Sequence, residues 1–368
     1  MNNRGVALIL SYMVMATLTI LSSAFLVSSS TEGIAARNYS NSSRAFWVAE
    51  AGMAEVYQDW RDNHVNPVTG TISMPGGGTY TIDVANFPVV RVTGNLGASH
   101  RTIQASFIRV PLAFDNTVSV GRNMTLNGLF CRVEAYDKTR ITGTFSKPFG
   151  GTAVFEDKQE GVSQDNTTIP IPDLNSNGTS DEFGDFVLFG QQAAGGYPAS
   201  EVVYLPTDDD VTIFPDTALV GKKIVYVQGS APGKGNVNIV FGSTWQDNQD
   251  LTVISTGKIT YLQPLQIGSD SRLSTVSWDN YVEGAIFRSQ HESLIYSHND
   301  ANFVDFLAWS ELTGNIITNR DLTLWEVLTY QKFFYSDRAQ NGDLPPGFKF
   351  LNVPTGTPKF TDWQEVNT

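Results

Sequence analysis

The chain has 368 residues, 37 of them acidic and 24 basic, for a formal net charge of −13. That is longer than one ordinary domain of about 150 residues, and so acidic a surface repels phosphate backbones, which sets nucleic acid aside as a partner. Charged residues are only 17%, Gly, Ser, Thr and Asn are plentiful, and Cys131 is the one cysteine, so turn-rich β-structure without an intrachain disulfide framework is expected, with Cys131 a buried thiol in the strand-like run LNGLFCRV.

The first element is a helix. Val6 to Val27 reads VALILSYMVMATLTILSSAFLV and contains no charge; as a helix it runs about 33 Å, enough to cross a hydrocarbon core. Arg4 is the charged side chain before it, which predicts a cytoplasmic amino end and places everything after Val27 outside. Apolar residues continue at Tyr39, Phe46, Ala49, Met53, Val56, Tyr57 and Trp60, mostly in steps of three and four, and no proline intervenes before Pro67. The spacing predicts one helix over 6–62, about 85 Å long, membrane-spanning over 6–27, with a narrow apolar stripe on its outer half. A secretory signal peptide, cut after Ser22-Ser23-Ala24 or Gly33-Ile34-Ala35, and an uncleaved signal anchor are the competing readings. The long apolar run and the continuing helix both speak against the signal peptide.

Two stretches of this helix carry a resemblance. Asn3-Arg4-Gly5, followed by Val6-Ala7-Leu8-Ile9, resembles the short basic leader and Gly-ending cleavage site of class III signal sequences. RAFWVAEAGMAEV, Arg44 to Val56, is similar to the AF-x-x-AEAG segment of PilX-type minor pilins. The resemblance spans residues 1–110. It implies cleavage between Gly5 and Val6 by prepilin peptidase, methylation of the new amino terminus, residence in the bacterial inner membrane before assembly, and packing of the apolar helix among other pilins or pseudopilins. Type IV pilins usually carry Glu at the fifth mature position, where this chain has Leu10. A carboxylate in hydrocarbon needs a partner, so its absence resembles the PilX and GspK-like minor subunits and implies a low-copy initiating or tip role, in a type IV pilus or a type II secretion pseudopilus. Arg4 and Glu50 are the candidate assembly residues. Glu50, like Glu32, can equally be a solvated helix charge, or Glu50 can pair with Arg44 or Arg37.

After a turn-rich stretch, TYTIDVAN, VVRVTGN and RTIQASFIRV alternate and are bounded by Gly, Asn or Pro, which predicts a small antiparallel sheet over 63–111. A large all-β domain is expected over 112–368, with candidate strands NTVSVGR, MTLNGLFCRVEAY, KIVYVQGS, NVNIVFGS, LTVISTGKITYL, YVEGAIFRS and GNIITNRDLTLW. Their spacing is loose, without a fixed repeat, and fits a β-solenoid or a β-sandwich. The predicted class is therefore α+β: a long amino-terminal helix, a small sheet, then a large β domain. Trp245, Trp278, Trp309 and Trp325 are expected in its core, and LPPGFKF and VPTGTPKF as surface loops or a terminal cover.

The strongest chemical motif is PDLNSNGTSDEFGDF, Pro172 to Phe186. Asp173, Asn175 and Asn177 match positions 1, 3 and 5 of a calcium loop, Gly178 position 6, Thr179 position 7 through its carbonyl, and Asp181 position 9. Position 12 is Gly184, so Glu182 or Asp185 must supply the last oxygen; the alternative is an Asx-rich surface turn. Asp208-Asp209-Asp210 reads as a solvated turn. Catalytic signatures are missing. GSAPGKG is one residue short of a P-loop and ends in Gly235, and His291-Glu292 lacks the second His of a zinc helix, with Ile295 in its place. A structural role, not an enzymatic one, is the expectation.

Overall fold

The computed structural model describes residues 3–63, 67–86, 88–214, 219–240, 249–262, 271–284, 286–339, 341–348 and 357–366; Trp245 lies outside them. The chain forms two units, Met1–Phe107 with Phe360–Thr368, and Ile108–Lys359.

In the first unit α1 runs Asn3–Asn63 without a break. Its apolar half is solvent-exposed from Leu8 to Val27. The hydroxyls of Thr17, Thr19 and Ser23, and of Thr31 just beyond the apolar run, donate to carbonyls four residues back, at 2.7–2.8 Å, so the helix backbone itself takes up these hydroxyls. The buried stripe of the outer half is Ala45, Ala49, Met53, Val56 and Trp60, in helical steps. Tyr39, expected to begin it, is 79% exposed. The stripe packs on an antiparallel sheet of β1 (Gly70–Ser73), β2 (Thr79–Asn86), β3 (Val89–Leu96) and β4 (Ser99–Val110), against Tyr80, Ile82, Val90, Val92, Ile103, Ala105 and Phe107.

The fifth strand of this sheet, next to β4, is Thr357–Val366 from the carboxyl end. The sequence placed it in the outer domain. It is tied into the first unit by Arg101–Glu365 at 2.9 Å and by the Ser106 hydroxyl donating to Asp362 at 2.9 Å. The Phe360 ring packs at a tilt against Tyr57 and Phe107, at 5.3 and 5.7 Å between centroids. Residues 108–359 are thus an insertion between two neighbouring strands of one sheet.

The second unit is a β-solenoid; the sandwich alternative does not hold. Its strands are β5 (Val118–Val120), β6 (Met124–Leu129), β7 (Arg132–Ile141), β8 (Phe145–Ser146), β9 (Thr152–Glu160), β10 (Val202–Pro206), β11 (Val211–Ile213), β12 (Ile224–Gln228), β13 (Val237–Val240), β14 (Asp250–Ser255), β15 (Ile259–Leu262), β16 (Arg272–Ser277), β17 (Tyr281–Gly284), β18 (Ile286–Ser297), β19 (Ala301–Thr318), β20 (Leu322–Val327) and β21 (Tyr330–Phe334). The carboxyl-terminal strand above is β22. Solenoid pairing is parallel and skips neighbours, β10 on β12 on β14 on β16 and β11 on β13 on β15 on β17, so each pass of the chain is one rung. The order is not sequential throughout. β5, β6 and β7 stack on β19, β20 and β21, although they precede them by some 200 residues. Between the two ends of the stack runs α2 (Phe183–Gly195), which the sequence did not predict; Phe186, Phe189 and Ala193 pack on Tyr226 and Trp278.

A side-chain ladder marks one corner. Asn236, Asn280, Asp300, Asp321 and Asn123 each accept, through Oδ1, a backbone N–H of the next rung at 2.8–3.1 Å. These bonds span 22, 20 and 21 residues in the sequential part. The expectation of no fixed repeat is therefore corrected: the rung is 20–22 residues. The core inside the rungs is mostly aliphatic, with Tyr261, Tyr281, Phe303 and Phe333 among it, and Cys131 is a free thiol buried in it.

Candidate assembly helix and display surface

Arg4, Gly5 and Val6 lie in the first turns of α1. Leu10 and its apolar neighbours are exposed, and Leu8–Arg61 is a helix long and apolar enough to cross a membrane. Glu50 is half-buried, and among the described residues it pairs with neither Arg37 nor Arg44. The carboxylate of the AEAGMAE run that the fold does use is Glu55, which accepts the Tyr80 hydroxyl at 2.7 Å; burial and this carboxylate push the phenol well above its ordinary pKa. Gly52 lies over the Tyr80 ring, where a Cβ would come within 2.6 Å, and a Cβ on Gly94 would lie 2.2 Å from the Ala45 carbonyl oxygen. The glycines bring helix and sheet backbones together. Sequence reasoning named neither Glu55 nor this closeness, although an acid two helical turns after Val48 and a Gly between apolar stripe residues were in view.

The 173–182 segment is a turn, followed at once by α2. Asp173 accepts the Asn177 and Gly178 N–H groups at 3.1 and 2.8 Å, Asn175 accepts that of Asn177 at 3.0 Å, and Asn177 accepts that of Thr179 at 2.8 Å. Asn177 Nδ2 donates to Glu182 at 2.9 Å. Asp173, Asn175, Asn177, Thr179 and Glu182 are thus brought together. Asp181 is not: with φ of 67° it turns back to accept the Ile171 N–H at 2.9 Å and faces His298 Nδ1 at 3.5 Å. Asp185 is fully buried and accepts the N–H groups of Leu174 and Asn175. Among the described residues no group of three or more His, Cys, Asp or Glu side chains is placed to hold a metal. Asp208 of the second acidic run caps GSAPGKG by accepting the Ser230 N–H at 2.6 Å and its hydroxyl at 2.8 Å, and these bonds hold its carboxyl below the ordinary carboxylate pKa.

One corner of the solenoid reverses the usual pattern. Outside it the register stacks Phe306, Val327 and Leu129, with Val304 beside Trp325 in the adjoining row. The next residues, Leu307, Leu328 and Phe130, turn the corner with φ of 52°, 56° and 54°. Left-handed backbone at three bulky residues is strained, at about 1–3 kcal/mol each. Beyond the corner stand Trp309 and Tyr330. Tyr330 is half-buried; the other apolar side chains are 37–86% exposed, Trp309 and Trp325 included, which corrects the expectation of a core role for both; Trp278 alone of the described three is buried. Inside the same corner lie Glu283, Asp305 and Glu326, all buried. Glu283 accepts the Tyr281 hydroxyl at 2.7 Å, Asp305 that of Ser310 at 2.8 Å, and Glu326 that of Thr329 at 2.5 Å. Burial, then repulsion from Asp305, pushes Glu283 up to about 8 and Glu326 well above its ordinary value. His291, 3.9 Å from Glu283, is held down to about 4 by burial.

No family model and no curated protein matches the chain. Among solved structures it is similar to an ice-binding protein from an Antarctic biological consortium, at 12% identity and a TM-score of 0.35, over 62% of this chain and 90% of that one. It is similar to an ice-binding protein domain of Shewanella frigidimarina at 9% identity and a TM-score of 0.33, over 61% and 97%. It is also similar to the competence-associated pilin ComZ of Thermus thermophilus at 11% identity and a TM-score of 0.34, over 89% and 98%.

Proposed function

We propose that the chain is a pilin-like subunit of a bacterial type IV filament that displays a β-solenoid. The observation that carries this is the continuity of α1. One 61-residue helix has an uncharged apolar half with no partner among the described residues and an outer half seated on a small sheet. Such an exposed apolar half belongs in lipid or against other helices. The leader Asn3-Arg4-Gly5 and the AFWVAEAG run support it. On this proposal the chain enters the inner membrane with its amino end cytoplasmic, prepilin peptidase cuts between Gly5 and Val6, the new terminus is methylated, and other pilins or pseudopilins take up the helix. Leu10 makes it a minor, low-copy subunit that initiates or tips the filament, Arg4 and Glu50 serve assembly, and the apolar solenoid corner is the outward contact surface. The role is structural and not enzymatic.

Mass spectrometry of the amino terminus, from cells with and without prepilin peptidase, tests it. A chain that begins at methylated Val6 only when the peptidase is present is the expected result. Met1 retained in both strains would make the protein a signal-anchored module, and a start at Phe25 or Ala36 an ordinary secreted protein.

Calcium is the ligand proposed for the 173–182 turn, with hard oxygen donors from Asp173, Asn175, Asn177, the Thr179 carbonyl and Glu182. Calcium at about 100 times its dissociation constant then stabilises by about 2.7 kcal/mol. Thermal melts of the full chain should rise by several degrees with calcium, fall back with chelator, and show no response in Asp173→Ala. A melting temperature indifferent to both additions removes calcium from the account.

A further inference from the structure

A cavity of about 410 Å³ opens where the turn before α2 meets the rung ends of the solenoid. Its size is that of a small-ligand site. Arg122 and Arg320 line it from successive rungs, joined by the Arg122 N–H donating to the Arg320 carbonyl at 3.0 Å. Two guanidinium groups on adjacent rungs repel each other. Neither has an ion pair or side-chain hydrogen bond among the described residues, in a chain where acids outnumber bases by 37 to 24.

The wall beside them is built rather than loose. His298 is only 9% exposed and stacks on Trp278 at 3.9 Å with 9° between the rings. Asn319 is fixed by donating to the Ile169 carbonyl and accepting the Ile169 N–H, each at 3.0 Å. His298 Nδ1 faces Asp181 at 3.5 Å and the Tyr296 oxygen at 3.3 Å. The Tyr296 proton already goes to the Ile169 carbonyl, so the proton of that contact sits on Nδ1. This leaves a lone pair on Nε2, which has no partner among the described residues. Of the two carboxylates in the cavity, Asp181 is engaged by Ile171 and His298, whereas Asp165 accepts no hydrogen bond among the described residues. Gln164 adds an amide.

The unmet groups are therefore two guanidinium forks together with several acceptors. Forks match a carboxylate in bidentate geometry, while Asp165, His298 Nε2 and the Gln164 oxygen accept from hydroxyls. An acidic saccharide presents a carboxylate and several hydroxyls on a body of this size. We propose that the cavity binds an acidic saccharide unit, its carboxylate on Arg122 and Arg320 and its hydroxyls on Asp165, Gln164 and His298. The proposal stands on these residues alone and holds whatever the fate of the filament assignment.

Titration calorimetry on the full chain in a detergent without a sugar head group tests it, with glucuronate, N-acetylneuraminate, glucose and acetate as probes. Saturable binding of at least one acidic sugar is expected, with glucose and acetate each weaker by about tenfold or more. Arg320→Gln and Arg122→Gln, both at exposed positions, should each lose about tenfold in acidic-sugar affinity without a change in melting temperature, and Asp165→Asn should weaken the sugar acid but not acetate. No binding of either acidic sugar overturns the proposal. So does acetate binding as tightly as the sugars, which reduces the cavity to a simple anion site, or glucose binding equally, which removes the arginines from the account.

Discussion

Glu283→Gln should make the protein markedly more resistant to alkali. The Glu283 carboxyl is fully enclosed in the solenoid beside Asp305, and its pKa is raised from an ordinary 4.5 to about 8. A group whose pKa is higher folded than unfolded contributes stability that is complete below about 4.5 and is lost as pH climbs through about 8. At roughly 1.4 kcal/mol per pKa unit the loss approaches about 5 kcal/mol at pH 9, about 10 °C or more in melting temperature for a unit of this size. Glutamine keeps the shape and cannot ionise, so from pH 5 to 9 the melting temperature of the variant should fall less steeply than that of the native chain. Glu326, raised for the same reasons, pulls in the same direction. His291 sets the acid limb. Its pKa is lowered from 6.5 to about 4, so its contribution is present above about 6.5 and lost as pH drops through 4. Parallel melting curves for native and variant protein across that range would mean that the carboxyl is not enclosed as described.

Gly94→Ala is expected to cost about 3 kcal/mol or more and to loosen the helix from its sheet. The added Cβ meets backbone atoms, the Ala45 oxygen at 2.2 Å and the Ala49 nitrogen at 2.4 Å, and backbone of a packed helix has no rotamer with which to give way. Gly70→Ala is the control, since nothing lies within 4 Å of its Cβ. Limited proteolysis reads the difference. Cleavage near Ala45 to Ala49 should accelerate in Gly94→Ala and stay unchanged in Gly70→Ala; equal rates in both would refute the close contact.

The long helix was legible because its signals are local: an uncharged run, no proline, and apolar steps of three and four. The small sheet was legible for the same reason. The solenoid was only half legible. Its strands alternate as any half-buried strand does, and the period that tells solenoid from sandwich sits in the corner residues Asn236, Asn280, Asp300 and Asp321 rather than in the strands. The placement of β5 to β7 on β19 to β21, and of β22 on β4, depends on partners some 200 residues and more away, which no local pattern encodes. The 173–182 segment was read as a calcium loop, with an Asx-rich turn as the alternative, and the diversion of Asp181 toward His298 needed the fold. The exposed tryptophans were misjudged because composition predicts burial for Trp, and the corner at Leu307, Leu328 and Phe130 points its large side chains outward.

The return of β22 gives this protein a timing problem. Ser106 waits for Asp362 across 256 residues. At about 5–20 residues per second a ribosome needs on the order of 12–50 s to cover that distance. During that interval α1 is already synthesised, while the outer edge of β4 has no neighbour and is open to any strand that drifts by. Every copy translated past β22 therefore has a closed β4 edge: a product truncated anywhere in the solenoid keeps its long apolar helix but leaves that edge open, a difference that a protease can sense without contacting the solenoid at all.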